Sequence, residues 1–226
     1  MARAPRNRPA ADAGVLLPDD DQAAVDGRLA LLDRPHVAPL VERVRRLRDE
    51  TGEDVPWPDP LGGGIRARVV LLRRDPRCSA VRGARLATAH RDDPASGNLL
   101  TALDQAGLPY AETLLTDVVP WWVEDPDRDV IPGRRRRVGD QARRAAPYLL
   151  ELLGSLPSAR AVVLLGGGAA TTWRAATRAE PALLTLPLPV LTAPSPSPLA
   201  WHMRGRDGVP HREHLVARLA EAAQAC

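Results

Sequence analysis

At 226 residues, a formal net charge of +3 and 44% hydrophobic residues, the chain suits one α/β domain with a buried core and an anionic partner such as nucleic acid. Its two cysteines, Cys78 and Cys226, are too few for a four-cysteine iron–sulfur cluster or a disulfide framework, so no metal cluster or other cofactor is expected. No continuous apolar run follows the N-terminal arginines and prolines, which predicts neither a secretory signal nor a membrane span and favours a cytoplasmic monomer.

The chain begins with a segment that has no regular apolar period. Residues 1–30 are rich in Ala, Arg, Asp and Pro, which predicts a mobile or loosely attached arm before a domain spanning residues 31–226. Apolar residues at helical spacing between residues 36 and 50, with arginines on the other face, predict an amphipathic helix. A loop rich in Pro and Gly follows this helix.

From residue 68 onward, short apolar runs alternate with helical patterns. The predicted strands lie at 69–72, 113–119, 161–165 and 190–192, and the predicted helices at 98–106, 136–156, 169–178 and 211–225. Continuous apolar strands that alternate with helices are typical of a mostly parallel sheet buried on both faces. The predicted fold is therefore α/β, a three-layer α/β/α sandwich with a four-stranded central sheet, and a site is expected at the carboxyl ends of its strands.

Polar motifs occur at three of these strand ends. Residues 74–77 read Arg-Asp-Pro-Arg, residues 115–121 read Leu-Thr-Asp-Val-Val-Pro-Trp, and residues 195–200 read Ser-Pro-Ser-Pro-Leu-Ala. In this order and spacing they resemble the active-site loops of the uracil-DNA glycosylase superfamily. The resemblance implies a DNA-binding enzyme that flips a base out of the duplex and hydrolyses its N-glycosidic bond, leaving an abasic site. Because the sequence has no lysine to form a Schiff base, we expect no accompanying cleavage of the backbone.

The first loop carries the catalytic carboxylate that the resemblance implies. Asp75 matches the aspartate that positions water and offsets positive charge on the sugar, as suits an oxocarbenium-like transition state. A turn or helix-cap role before proline is the alternative interpretation of Asp75. Nearby, Asp92, Asp93 and Asn98 are alternative groups for holding the water.

The second loop carries the residue that would read the base. Asp117 stands where members that read uracil usually have an asparagine, whose amide accepts from N3 and donates to O4. An ionised aspartate only accepts hydrogen bonds, so Asp117 favours a base edge with a donor, such as the exocyclic amine of cytosine. A protonated Asp117 would still be compatible with uracil.

Two further differences change the predicted walls around the base. Arg77 occupies the position of a tyrosine that blocks the C5 methyl of thymine in the uracil-specific branch, so space opens at C5 beside a guanidinium. Leu86, by approximate alignment, replaces a stacking phenylalanine. The alternative interpretations are a surface or phosphate contact for Arg77 and core packing for Leu86.

The last loop is expected to act on both the base and the duplex. Ser195 replaces a histidine that stabilises charge on base O2, and a hydroxyl is a weaker donor, so His90 or His202 is a candidate second donor. Leu199 matches the leucine that enters the base stack as a wedge. The remaining predicted DNA contacts are Ser197, Trp201 and Arg204.

Two other motifs receive structural interpretations. The arginine run at 134–137 would strengthen phosphate binding but is interpreted as a solvated helix start. The three glycines at 166–168 lack the flanking residues of a nucleotide-binding loop and are interpreted as a tight strand-to-helix turn.

These residues lead to a specific hypothesis about the substrate. Excision of ordinary cytosine would damage the host genome, so we expect a C5-modified cytosine, such as hydroxymethylated or glucosylated cytosine of phage DNA, and a role in antiviral defence. The first alternative is a repair glycosylase for uracil or another deaminated base. The second is a catalytically weak DNA-binding member of the family.

Overall fold

The computed structural model describes residues 4–18, 20–124 and 137–225. The strands are β1 (Trp57–Pro58), β2 (Val69–Arg73), β3 (Leu86–Ala87), β4 (Thr113–Asp117), β5 (Ala161–Leu165) and β6 (Val190–Ala193). The α-helices are α1 (Arg8–Asp12), α2 (Gln22–Leu29), α3 (Ala38–Thr51), α4 (Cys78–Arg82), α5 (Pro94–Gln105), α6 (Val138–Gly154), α7 (Gly167–Ala179), α8 (Pro198–His202) and α9 (His211–Gln224). Among the described residues, no helix is both long and apolar enough to cross a bilayer.

The central sheet has four parallel strands in the order β4-β2-β5-β6. Successive side chains of β2 point to opposite faces, as the pleat of a strand requires. Val70 and Leu72 join a core cluster with α6 and α7, whereas Val69 and Leu71 join another with α5 and α9. Burial on both faces explains why the strand sequences are continuously apolar. The predicted three-layer α/β/α sandwich is confirmed.

A smaller parallel pair, formed by β1 and β3, lies beside the central sheet. Sequence patterns did not indicate it, because two-residue strands are too short to show a period. The predicted second strand was also too long, since β4 ends at Asp117. The next two residues leave the strand, and their backbone N–H groups donate to the carbonyls of Arg73 and Arg74 at 2.9 and 3.1 Å. These bonds hold the first two predicted loops together.

The described part of the N-terminal segment packs against the domain, which corrects the expectation of a loosely attached arm. Asn7 is fully buried, and its Nδ2 donates to the carbonyls of Ala89 and Arg91 at 2.9 and 2.8 Å. Leu17 is also buried, at 1% exposure. Composition missed this attachment because a few side-chain-to-backbone bonds, rather than a long apolar face, carry it. The predicted domain division after residue 30 remains a prediction.

Candidate active site

A cleft of about 350 Å³ opens at the carboxyl ends of the central strands. Asp75 and Arg77 line it from the loop after β2, and Ser195 lines it from the loop after β6. Parallel strands bring their carboxyl ends to one edge of a sheet, so residues far apart in the chain meet there. The structure thus brings together three of the predicted site residues.

The glycine turn between β5 and α7 allows the loops to approach each other. Gly166 has φ +93°, a left-handed conformation that glycine adopts without strain. A Cβ at this position would lie 2.9 Å from the Cβ of Ser195. A Cβ at Gly168 would lie 3.5 Å from Cδ of Arg74. The glycine turn therefore contacts both the first and the last predicted loop, and its lack of side chains lets them approach closely.

Asp75 lies on the cleft wall as a paired carboxylate. Its side chain is 4% exposed, and its Oδ1 accepts a hydrogen bond from Nε of Arg74. That hydrogen bond raises the pKa of Arg74, and Glu124, 3.5 Å from Nη2, acts in the same direction. Among the described residues, only Arg74 donates to the Asp75 carboxylate, so Oδ2 can accept from a water molecule.

Asp117 lies beside the cleft rather than in it. It is directly opposite Arg73 in the β2–β4 pair. Its Oδ1 accepts from Nε of Arg73 and its Oδ2 from Nη2, both at 2.9 Å. The Asp117 side chain is 2% exposed, whereas that of Arg73 is 27% exposed and lines the cleft. Both oxygens of Asp117 are thus engaged by Arg73, and a direct contact between Asp117 and the base stays a prediction.

The charges of this pair depend on each other. Burial raises the pKa of Asp117, and the positive charge and hydrogen bonds of Arg73 oppose that shift. Burial alone would lower the pKa of Arg73, but its pairing with Asp117 outweighs burial and raises that pKa. Sequence reasoning missed Arg73, although an arginine directly after four apolar strand residues was a visible signal.

The last loop is held by local hydrogen bonds. Ser195 Oγ accepts from the backbone N–H of Ser197 at 3.2 Å, which leaves the hydroxyl proton of Ser195 available to a ligand. Asn98 donates from Nδ2 to the carbonyl of Pro196 at 2.9 Å. Asn98 thus positions the last loop and is not one of the residues that line the cleft.

The candidate second donors lie elsewhere. His90 is buried behind the cleft wall, and His202 is exposed at the end of α8. Neither histidine lines the cleft. Of the alternative water-holding groups, Asp92 accepts from the N–H groups of Arg6 and Asn7 and does not line the cleft. Asp93 does line the cleft, while it also caps α5.

The predicted DNA-contacting residues have different environments. Leu199 is 78% exposed near the start of α8, as a wedge would be. Ser197 caps that helix by accepting from the N–H of Ala200 at 3.4 Å. Trp201 is partly buried against the core, and exposed Arg204 donates to the carbonyl of Gly208 at 2.6 Å. Leu199 is therefore the apolar side chain of this loop that is free to enter a duplex.

Leu86 is not part of the base pocket. It is fully buried in β3 and packs with Leu17, Val25 and Ala84, which corrects its predicted place in the cleft wall. Arg77, in contrast, is exposed and lines the cleft. The predicted arginine run at 134–137 lies outside the described residues except for its last member.

A buried polar network that sequence reasoning missed lies behind Thr88, a residue of the cleft wall. Asp59 accepts from Arg28 Nη1 at 3.1 Å, from the Tyr110 hydroxyl at 3.0 Å and from the Thr88 hydroxyl. His90 Nδ1 is 3.2 Å from the same carboxylate. Burial disfavours the charged carboxylate, but His90, Arg28 and Thr88 outweigh burial and lower the pKa of Asp59 to about 2.

A second cavity, of about 80 Å³, lies between α3, α6 and β4. Its walls are mainly aliphatic, with Leu40, Val44 and Leu152 among the residues that form them. It is smaller than the cleft, and its carboxylates are those of Glu50, Glu151 and the Arg73-paired Asp117. The larger cleft, where Asp75 and Ser195 meet, is taken as the candidate active site because it lies at the carboxyl ends of the strands.

Comparison with known proteins now gives the family. A comparison with curated proteins finds no match. A family model described as the uracil DNA glycosylase superfamily matches residues 62–220, which is more than half of the chain and contains all three loops. Membership of this family implies a DNA-acting glycosylase, a hydrolase that excises bases. The chain belongs to the uracil DNA glycosylase superfamily.

Proposed function

We propose that this protein is a monofunctional DNA glycosylase that binds a flipped base in the cleft and hydrolyses its N-glycosidic bond. The observation that carries the proposal is one cleft with a carboxylate, Asp75, on one wall and a hydroxyl donor, Ser195, on another. The absence of lysine supports hydrolysis without Schiff-base cleavage of the backbone. The products are an abasic site and a free base.

In this mechanism Asp75 acts on the sugar. Its Oδ2 accepts a hydrogen bond from water, and its negative charge stabilises the positive charge that develops on the sugar as the bond breaks. The water oxygen attaches to the anomeric carbon, and one of its two protons is released to solvent. The bonding electron pair leaves with the base, where the Ser195 hydroxyl donates to the oxygen that gains negative charge, and the base anion then takes up a proton from solvent.

The donors around the cleft favour one class of base. Among the described residues, the arginines that line it are Arg73, Arg74, Arg77 and Arg91, together with the carboxylates of Asp75 and Asp93. Guanidinium groups donate hydrogen bonds and accept none, so they fit a base edge rich in carbonyl oxygens. Deamination creates such an edge because it replaces an exocyclic amine with a carbonyl. The cleft therefore supports a repair glycosylase for deaminated bases.

A C5-modified cytosine of phage DNA is the second candidate substrate, with a role in antiviral defence. The observation that favours it is the exposed guanidinium of Arg77 on a cleft of about 350 Å³. Hydroxymethyl or glucosyl oxygens on C5 would accept hydrogen bonds from Arg77. The buried Asp117 carboxylate, already paired with Arg73, does not support direct readout of the cytosine amine.

A base-release assay separates these functions. Matched duplexes carry uracil, hypoxanthine, cytosine, 5-hydroxymethylcytosine or its glucosylated form, and mass spectrometry identifies the freed base. We expect deaminated bases to be released and Asp75→Asn to lower the rate by roughly 10²-fold or more. Release of modified cytosine alone would favour the antiviral candidate. DNA binding without release of any base, unchanged by Asp75→Asn, would instead indicate a catalytically weak DNA-binding protein.

A further inference from the structure

The Arg73 guanidinium has an open side and an occupied side. An arginine carries five N–H donors in one rigid plane. Nε and one hydrogen of Nη2 are used on the two oxygens of Asp117. No other described residue accepts a hydrogen bond from the Arg73 side chain. Both Nη1 hydrogens and the second Nη2 hydrogen are thus left, and they point away from the buried carboxylate.

Arg73 lines the cleft, whereas Asp117 does not. The Arg73 side chain is 27% exposed, and the Asp117 side chain is 2% exposed. Arg73 is the last residue of β2 and lies at the carboxyl end of that central strand, whereas Arg74 and Arg77 are exposed on the following loop. A flipped base enters the pocket ahead of its phosphates. Arg73 is therefore positioned for the base.

The pairing with Asp117 also fixes the direction of the open donors. Two parallel N–H···O bonds hold the plane of a guanidinium more firmly than one bond does. A preorganised donor pair loses little conformational entropy when a ligand binds. The open N–H donors on Nη1 and Nη2 of Arg73 are therefore held in a fixed direction before a ligand binds.

We infer that Arg73 is the residue that selects the base, that Asp117 is its positioning residue, and that the preferred base is a deaminated purine, hypoxanthine; this inference rests on the proposed function. Two adjacent guanidinium donors match O6 and N7 of a purine, the commonest base contact of arginine. Hypoxanthine has both acceptors. Adenine, its precursor, has an amine in place of O6, and this donor would oppose the guanidinium.

Uracil matches the two open donors of Arg73 less well than hypoxanthine does, and guanine is less easily flipped out of the duplex. Uracil presents O4 beside an N3–H donor, so it offers the two open donors of Arg73 one acceptor instead of two adjacent ones. Guanine shares O6 and N7, but its pair with cytosine keeps it in the stack. Hypoxanthine opposite thymine is mismatched, and a mismatched base is less costly to flip.

The test compares excision rates in one duplex context. Single-turnover rates are measured for hypoxanthine opposite thymine and uracil opposite guanine, with wild type, Arg73→Lys and Asp117→Asn. We expect wild type to prefer hypoxanthine. Arg73→Lys keeps the charge but removes the fork, and should lower the hypoxanthine-to-uracil rate ratio roughly 10- to 100-fold. Asp117→Asn keeps one acceptor for Arg73 and should lower this ratio by a smaller factor. Arg160→Lys is the matched control, because Arg160 lies at the amino end of β5, opposite the cleft, and should leave the ratio unchanged.

Binding provides a readout that does not depend on catalysis. In the Asp75→Asn background, we expect tighter binding to duplexes with hypoxanthine than to duplexes with uracil or adenine, and Arg73→Lys should remove this preference. Equal losses on hypoxanthine and uracil, or a wild-type preference for uracil, would overturn the inference while the glycosylase function stood. A hypoxanthine-specific binding preference without release of any base would overturn the function but support Arg73 as the reader.

Discussion

Two buried arginine–aspartate pairs in this protein have the same chemistry and different surroundings. Both aspartates lie at the end of a strand, Asp59 after β1 and Asp117 at the end of β4. Arg28 is 9% exposed and paired with Asp59, whereas Arg73 is 27% exposed and paired with Asp117. The first pair is enclosed, and the second is open to the cleft.

The difference is visible in the carboxylates. Asp59 accepts from Arg28, Tyr110, Thr88 and the backbone N–H of Leu61, and its pKa falls to about 2. Within the described part of the chain, Asp117 accepts from Arg73 alone, and burial raises its pKa. A buried carboxylate that accepts many hydrogen bonds is held in its charged form. A buried carboxylate that is paired with one arginine leaves the remaining N–H donors of that arginine available to a ligand. The enclosed pair is thus structural, and the open pair is suited to recognition.

The largest expected effect is on the enclosed pair. Arg28→Met leaves the Asp59 charge buried without its cation, and should lower the free energy of unfolding by about 3–5 kcal/mol. Urea unfolding followed by circular dichroism measures the change. Arg34→Met, at an exposed arginine nearby, is the control and should change the unfolding free energy by no more than about 0.5 kcal/mol. A loss below about 1 kcal/mol would show that the other donors suffice for Asp59.

The equivalent change in the open pair should cost less. Arg73→Met leaves Asp117 able to take up a proton, because burial already raises its pKa, so we expect a loss of about 1–3 kcal/mol at neutral pH. An acid whose folded pKa is raised destabilises the fold as pH rises through that pKa. The loss should therefore shrink when unfolding is measured at pH 5 instead of pH 8. A loss equal to that of Arg28→Met at both pH values would remove the distinction between the pairs.

The pH dependence of the wild type should report Asp59. A carboxylate with a depressed folded pKa contributes stability above its unfolded pKa, 3.8, and that contribution disappears as pH falls toward about 2. For this shift the contribution is roughly 2 kcal/mol. Asp59→Asn should be less stable at pH 5 and should approach the wild type as pH falls. A constant difference between pH 5 and pH 2.5 would contradict the assignment.

The smallest expected effect concerns the N-terminal segment. Asn7→Ala removes two buried hydrogen bonds to the cleft wall, at Ala89 and Arg91, and the cap that Asn7 Oδ1 provides to the N–H of Ala10, and should destabilise the protein by about 1–2 kcal/mol. Thermal unfolding measures this loss. Asn98→Ala is the matched comparison, since Asn98 donates one hydrogen bond to the last loop. We expect this substitution to lower the rate of base release while changing the melting temperature little. An unchanged melting temperature for Asn7→Ala would show that the hydrogen bonds of Asn7 contribute nothing to the stability of the domain.

The sequence by itself determined the layers and the meeting point of the loops. Strands that are apolar at every position must be covered on both faces, and the carboxyl ends of parallel strands must share one edge of the sheet. For these reasons Asp75 and Ser195 were predicted in one cleft, although 120 residues separate them in the chain. The family motifs identified the same edge independently.

Only the tertiary structure decided which side chains line the cleft. Asp117 meets Arg73 because β4 lies beside β2 in matching register, and no local pattern specifies that neighbour. Leu86 enters the core because β3 pairs with β1, and Asn7 is buried because the cleft wall offers it two carbonyls. Local sequence determines periodicity and turn chemistry. Which donor meets which acceptor depends on distances that exist only after the strands have packed.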